Sequence, residues 1–476
     1  MDWKTDVTLN TYLIQQMKKQ YDNRRLEFDK AITSRQNADQ YVEAVRNKFA
    51  GLLPEWPKKT KLNAKVTGVI RENNYSIEKI VYESFPGHHV TCNLYLPNGN
   101  GPFPAALLFC GHEDLSKATD SYQRTAILFV KNGFAVLVID PISQSERYQL
   151  TDKNGKLLTR GGTTEHTLLN ESSNLFGWST PADELWDNIR GLDYLSTRKE
   201  IDMNRVGCLG NSGGGMQTIY FSAFESRIKV IAACSFLMSR ERALELTGPS
   251  DGCSQIPNEG KAGLEMSDLL IASAPKPVLI LAGRYDFIDY TGTTSAYNEL
   301  KKIYSTLGQG EKAKMFSYDD GHGISLPKRE EAVTWFKKWL MNDSSRVQET
   351  PLNTLSDKDL FVTKTGQVVT EYPKEVTIAE RNSRLFKSSE SARKKFLKKD
   401  RVQIINQIRD LLAINTDTSS VNIQETGTVI RNNILYHKFI LRKQNEVPIP
   451  ALVIYPESGM KKVILWVHEA GKNKLA

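Results

Sequence analysis

Residues 206–215 read VGCLGNSGGG, a short apolar run that ends in a serine enclosed by glycines. Two arrangements give such a stretch: a flexible loop, or a nucleophile on a turn so sharp that only glycines leave room for it. The flanking sequence separates them. RVGCLG (205–210) has the apolar continuity of a buried strand, Gly210-Asn211-Ser212-Gly213-Gly214 follows at once, and GMQTIYFSAF (215–224) has helical character. Strand, G-x-S-x-G, helix is the setting of a nucleophile elbow. On such a turn a side chain at 210 or 214 would meet the neighbouring strand or helix. The Ser212 hydroxyl would stand at a helix N-terminus, whose dipole favours developing negative charge.

Working outward, PAALLFC (104–110), FAVLVID (134–140), IKVIAACS (228–235) and KPVLILAG (276–283) are further continuous apolar runs. Strands apolar on both faces belong in a parallel sheet covered by helices. Helical stretches lie between them. In 181–198, Leu185, Ile189, Leu192 and Leu195 form one stripe; in 329–340, Ala332, Val333, Phe336, Trp339 and Leu340 form another. Alternating strands and helices predict an α/β fold with a mostly parallel central sheet flanked by helices over residues 76–342. Ahead of it, 1–75 reads as a helical segment with lead-in strands. Tyr12, Leu13, Met17, Tyr21 and Leu26 follow a helical period, and in HVTCNLYLP (89–97) Val90, Cys92, Leu94 and Leu96 share one strand face. The polar stretch 141–180 is expected as a loop over the carboxyl end of the sheet, or else a surface insertion, with the aromatic rings of Phe176 and Trp178 left free to stack on a ligand.

Residues 343–380 read as linker, and in 381–476 the chain starts again. Residues 425–472 parallel 66–117: Thr67-Gly68 aligns with Thr426-Gly427, YLP (95–97) with IYP (454–456), and LLFCGHE with ILWVHEAG. The second copy, which holds His437 and His468, stops after its first central strand. It is expected to be the start of a second, incomplete hydrolase-like unit.

The 476 residues carry a net charge of +8 from scattered lysines. No zinc-finger or RNP-type spacing accompanies them, which argues against nucleic-acid binding. Five cysteines at irregular spacing do not suggest a disulfide framework. No stretch approaches 18 apolar residues, so no membrane span is expected. The protein is expected to be soluble: secreted or periplasmic where a leader has been removed, cytoplasmic otherwise. The oligomeric state is left open.

A serine needs a base and the base needs an acid. His322 lies in FSYDDGHGISLP, after the last expected strand and before the final helix, flanked by Gly321 and Gly323. Asp286 and Asp289 both follow PVLILAG, Asp286 nearer the strand end and therefore preferred. The order Ser212, Asp286, His322 is that of α/β-hydrolases. The oxyanion donors are expected to be the backbone N–H of Gly213 and that of His112, with Glu113 as the alternative to His112. No cofactor and no metal are expected, since adjacent His112, Glu113 and Asp114 cannot easily converge on one ion.

These residues resemble the acetyl xylan esterase-like branch of the α/β-hydrolases, a group of bacterial carbohydrate esterases. The resemblance rests on PFPAALLFCGHED (102–114), RVGCLGNSGGG (205–215), CSQIPNEG (253–260), APKPVLILAGRYDFID (274–289), DDGHG (319–323) and AVTWFKKWL (332–340), within about residues 50–342. Cys110-Gly111 departs from the usual His-Gly before the oxyanion loop. The resemblance implies hydrolysis of acetyl esters on plant polysaccharide by Ser212, Asp286 and His322 without a cofactor, the partner being an acylated carbohydrate. Alternatives are a prolyl-oligopeptidase-like serine peptidase, whose usual propeller cannot fit in the ~75 preceding residues, or a glucuronoyl or pectin methyl esterase. Gly213 stands where glucuronoyl esterases carry an arginine.

Overall fold

Alternate residues of the central strands leave the sheet on opposite faces, and both sets are apolar. In the strand Phe103–Phe109, Ala105, Leu107 and Phe109 enter one core, while Ala106 and Leu108 enter a second core on the other face. The computed structural model describes residues 5–152, 154–248, 250–412, 414, 420–443, 446–455 and 462–467. They fall into two units, 19–390 and 1–18 with 391–476.

The strands of the larger unit are β1 (Lys65–Arg71), β2 (Tyr75–Phe85), β3 (His88–Pro97), β4 (Phe103–Phe109), β5 (Ala135–Ile139), β6 (Ile201–Asn211), β7 (Val230–Cys234), β8 (Val278–Gly283) and β9 (Ala313–Tyr318). They form one sheet in the order β1-β2-β3-β5-β4-β6-β7-β8-β9. β1, β2, β3 and β5 pair antiparallel; β5, β4, β6, β7, β8 and β9 run parallel. The helices up to residue 341 are α1 (Thr5–Ala31, of which residues 19–31 belong to this unit), α2 (Arg35–Leu52), α3 (Asp120–Lys131), α4 (Gly162–Asn174), α5 (Thr180–Leu195), α6 (Gly213–Phe224), α7 (Arg240–Leu246), α8 (Met266–Ile271), α9 (Tyr290–Thr306) and α10 (Leu326–Met341). The stripes read from sequence sort by face. Those of β3 and α5 lie in one core; Ala332, Val333, Phe336 and Leu340 of α10 lie in the other.

Three expectations need revision. In α1, Leu13 and Leu26 are exposed, and the buried face of residues 19–31 is Tyr21, Arg24, Phe28 and Ala31. Arg24 outweighs the leucine pattern because it meets the buried Asp268 of α8 at 2.7 Å, and Asp268 also accepts from Tyr41 of α2 at 2.7 Å. The stretch 141–180 is neither loop nor surface insertion throughout. It contains α4, and its first residues are fully buried in spite of their polarity. Buried Lys117 pairs with Asp140 and, at 2.6 Å, with Glu146, and Arg147 pairs with Asp187 at 2.6 Å. Trp178 is packed against Trp56, Phe85 and Arg381 rather than left free. The stretch 343–380 also makes buried contacts: Leu360 and Val368 are fully buried, and Glu146 accepts from the amides of Val362 and Thr363.

In the smaller unit, β10 (Asn422–Arg431), β11 (Ile434–Arg442) and β12 (Ile449–Tyr455) form an antiparallel sheet in that order. Its register repeats that of β1-β2-β3 at a constant offset. The bulge before Gly68, which pairs with Lys79, recurs before Gly427, which pairs with Lys438. Ser76 faces Leu96 as Leu435 faces Tyr455. Thr67 and Thr426 each donate to the carbonyl of the paired lysine. His468 and the end of that copy lie outside the described residues.

Removing Arg24 leaves Asp268 buried without its cation, which costs about 3–5 kcal/mol. Arg24→Ala is expected to lower stability by that amount in urea unfolding. A loss below ~1 kcal/mol would mean that apolar contacts alone hold α1 and α2.

Candidate active site

Ser212 occupies the turn between β6 and α6 with φ 57° and ψ −124°. A non-glycine residue held at positive φ costs about 1–3 kcal/mol and persists only where its surroundings impose it. Here they do. The Ser212 amide donates to the Cys234 carbonyl of β7 at 3.0 Å, and the Ser212 carbonyl accepts from Met216 at 3.0 Å. A methyl on Gly210 would overlap the Gly214 carbonyl, and one on Gly214 would overlap the Phe109 carbonyl of β4. The sequence expectation for these two glycines is met, and the reason is backbone against backbone.

The loop after β4 lies against this turn. A methyl on Gly111 would come within 2.8 Å of Ser212 Cβ, and one on Gly213 within 2.8 Å of His112 Cε1. The Gly111 amide donates to Tyr122 Oη at 2.5 Å, and Gln144 Nε2 donates to the carbonyls of Gly111 (2.6 Å) and Glu113 (3.0 Å). The Glu113 amide is engaged by the Gly111 carbonyl at 2.8 Å. The His112 amide has no acceptor among the described residues, which favours it over Glu113 as a donor to a substrate oxygen. Sequence reasoning missed Tyr122 and Gln144, since an isolated tyrosine or glutamine carries no motif.

Asp286 and His322 come from the ends of β8 and β9. His322 Nδ1 lies 2.8 Å from Asp286 Oδ1, which also accepts from the Ile288 amide at 3.0 Å. Burial alone would raise the Asp286 pKa, but the hydrogen bonds from His322 and the Ile288 amide together with the His322 charge hold it below the usual carboxylate range. Asp289 is used elsewhere: it caps α9 through the Gly292 amide and pairs with Arg242. The His322 loop is tied down by buried Lys328, whose Nζ donates to the carbonyls of Gly321 (3.1 Å) and Gly323 (2.9 Å). Gly323 has φ 124°, a conformation that favours glycine. Phe287 stacks on the His322 ring at 4.2 Å, and Tyr285 and Phe287 are both exposed.

The His112 imidazole is close enough to His322 to feel its charge. Burial first, and then His322, lower the His112 pKa to about 4. Behind it, His166 of α4 is lowered to about 3, by burial and then by His112. His112 Nε2 lies 3.1 Å from Cys253 Sγ. All five cysteines are free and buried. Sequence reasoning treated His166 as part of a polar stretch and did not connect it to Cys253.

A serine on a strained strand-to-helix turn after β6, with an aspartate–histidine pair carried after β8 and β9 of the same mostly parallel sheet, is the layout of the α/β-hydrolase fold. Residues 58–257 match the model of the acetyl xylan esterase (AXE1) family, so this part of the chain is similar to that family. The matched segment holds His112, Ser212 and Gly213; Asp286 and His322 lie beyond it. YtaP of Bacillus subtilis (strain 168), which carries a hydrolase name, is 27% identical over 162 residues, 33% of this chain and 53% of that protein. The chain thus spans about half the length of this curated relative. Among solved structures, Methylesterase BT1017 superposes with a TM-score of 0.59 at 17% identity, covering 79% of this chain and 81% of that one. A Bacteroides fragilis NCTC 9343 protein named after the acetyl xylan esterases gives 0.50 at 18%, covering 69% and 83%. At these identities the likeness is one of fold. No helix among the described residues is long and apolar enough to cross a membrane.

The two glycine contacts differ in what must yield. Gly214→Ala sets a methyl against the β4 backbone, whereas Gly213→Ala meets only the movable His112 ring. Gly214→Ala is expected to cost more than ~3 kcal/mol or to prevent folding, and Gly213→Ala about 1–3 kcal/mol. Thermal unfolding of the two variants checks the order.

Proposed function

We propose that this protein is a serine carboxylic-ester hydrolase that removes acetyl groups from plant polysaccharide or oligosaccharide. The observation that carries the reading is the Asp286–His322 hydrogen bond, formed beyond β8 and β9 of the same sheet whose strand β6 ends at the Ser212 turn. Ser212 Oγ attacks the acyl carbon while His322 Nε2 takes its proton. Asp286, bonded to Nδ1, holds the tautomer and stabilises the imidazolium. The tetrahedral oxyanion accepts from the amides of Gly213 and His112, aided by the N-terminal dipole of α6. His322 then protonates the departing sugar oxygen. A water attacks the acyl-enzyme by the same route in reverse and releases acetate. The carbohydrate part of the proposal rests on the family match. Exposed Tyr285 and Phe287, on either side of Asp286, offer apolar ring faces to a sugar, a role for which Trp178 is already engaged.

Ser212→Ala is expected to lower kcat/KM on a small acetyl ester by several orders of magnitude with the fold intact. Retention of more than a few per cent would remove Ser212 as nucleophile. Asp286→Asn is expected to cost about 10²–10⁴-fold, and Asp289→Asn far less; the reverse order would reassign the acid. The substrate is tested with acetylated xylan, pectin and mannan oligosaccharides beside methyl-esterified pectin, a glucuronoyl ester and a proline-containing peptide. Acetate release is expected. Methanol or glucuronate release without acetate would move the activity to another carbohydrate esterase class, and amine release would make it a peptidase.

A further inference from the structure

Three side chains far apart in sequence converge behind the oxyanion loop: His112 after β4, His166 on α4, and Cys253 on a short turn at Gly252–Ser254. One nitrogen from each imidazole and the Cys253 sulfur all lie within 4.8 Å of one another. We propose that His112, His166 and Cys253 form a binding site for one thiophilic divalent cation, zinc by preference.

The state of His166 is the main argument. Its ring is fully buried, and Nε2 lies 2.7 Å from the Ile142 carbonyl, so that nitrogen carries the proton. Nδ1 is then a bare lone pair, and it has no hydrogen-bond partner among the described residues. An orphaned buried acceptor is unfavourable, because it gives up its bonds to water and gains none in return. A cation relieves that cost, and a carbonyl behind the opposite ring nitrogen is the usual support of a metal-bound histidine. The donor set agrees: two imidazoles and a thiolate are the ligands of zinc rather than of magnesium or calcium. Tetrahedral zinc holds such atoms roughly 3.3–3.6 Å apart, so the cluster needs to contract by only about 1 Å. His112 Nε2 and Cys253 Sγ, at 3.1 Å, are already close enough.

On binding, the Cys253 S–H bond breaks, its proton passes to solvent, and the sulfur–zinc bond forms as both imidazoles donate their lone pairs. The bound ion would hold the His112 ring, and with it the loop whose amide is the second oxyanion donor. That consequence rests on the proposed esterase mechanism; the site itself does not. His112 would act there as a positioning residue.

Metal binding is measured on the full-length protein after treatment with a strong chelator and desalting, by titration with zinc chloride against a competing indicator and, separately, with cobalt(II) chloride. One equivalent of zinc is expected to bind, and cobalt is expected to give the near-ultraviolet thiolate-to-metal charge-transfer absorption. Cys253→Ser and His166→Gln, checked by near-ultraviolet circular dichroism, are each expected to weaken zinc binding by at least ~100-fold. No stoichiometric zinc binding, no thiolate absorption with cobalt, or folded variants that bind as tightly as the parent would each overturn the site. Should either variant fail to fold, the cobalt spectrum of the unaltered protein decides. None of these readouts uses ester hydrolysis, so a failed site and a failed esterase assignment are distinguishable.

Discussion

Three backbones approach one another at the end of β6, and most of the molecule's functional geometry follows from that approach. The Phe109 carbonyl of β4 meets Gly214 where a Cβ would stand, and Gly210 meets the Gly214 carbonyl in the same way. With no side chain to separate them, β4, the turn and the first residues of α6 close into one rigid corner. The chain can make that corner only by putting Ser212 at positive φ. The same closeness brings Gly111 to Ser212 Cβ and the His112 ring to Gly213. Ser212 and the loop after β4 are therefore positioned by one packing event.

Charge burial completes what the glycines begin. Lys117, Asp140 and Glu146 have no exposed side-chain surface, and Arg147 is buried with Asp187. Such ions gain little net stability over apolar replacements, because desolvation offsets their attraction. Their geometry is nevertheless strict, since each unpaired member would cost several kcal/mol. Held between them is Gln144, the residue that ties the carbonyls of Gly111 and Glu113. The same logic holds at His322, where buried Lys328 binds the carbonyls on either side of the histidine.

What could be read from sequence follows this division. Central strands were legible because they are apolar on both faces: 104–110, 134–140 and 276–283 match β4, β5 and β8 within two residues at each end. The elbow was legible because steric exclusion leaves glycines behind it. β9 was not, because Ala313–Tyr318 is a half-exposed edge strand containing a lysine and shows no unbroken apolar run. The buried polar stretch at 141–150 read as surface because polarity in sequence does not reveal that its partners, Lys117 and Asp187, lie tens of residues away. His166 and Cys253 were opaque for the same reason. Asp286 was preferred over Asp289 on distance from the strand alone; in the structure the stronger reason is that Asp289 caps a helix and pairs with Arg242.

The two three-stranded ribbons separate local from tertiary causes. Bulge, turn position and cross-strand register recur residue for residue between β1-β2-β3 and β10-β11-β12. Their burial does not: β1 and β10 are both largely exposed, but β2 and β3 are largely buried while their counterparts β11 and β12 are half-buried or exposed. Register normally depends on which face is buried. Here it is kept when burial differs, so the ribbon's geometry must be set within the segment itself. The shared features are the Thr-Gly bulge, with its threonine bonded across to the lysine carbonyl, and the Asn-Asn pair at the hairpin turn. The turn conformation itself is not shared: Asn432 and Asn433 both take the positive φ of a tight two-residue hairpin, whereas Asn73 and Asn74 do not. The ribbon is therefore a locally specified edge. In the first copy the rest of the sheet builds onto it through β5, which pairs with β3 across Cys92–Tyr95 and begins the parallel layer that includes β6 and the corner at Ser212.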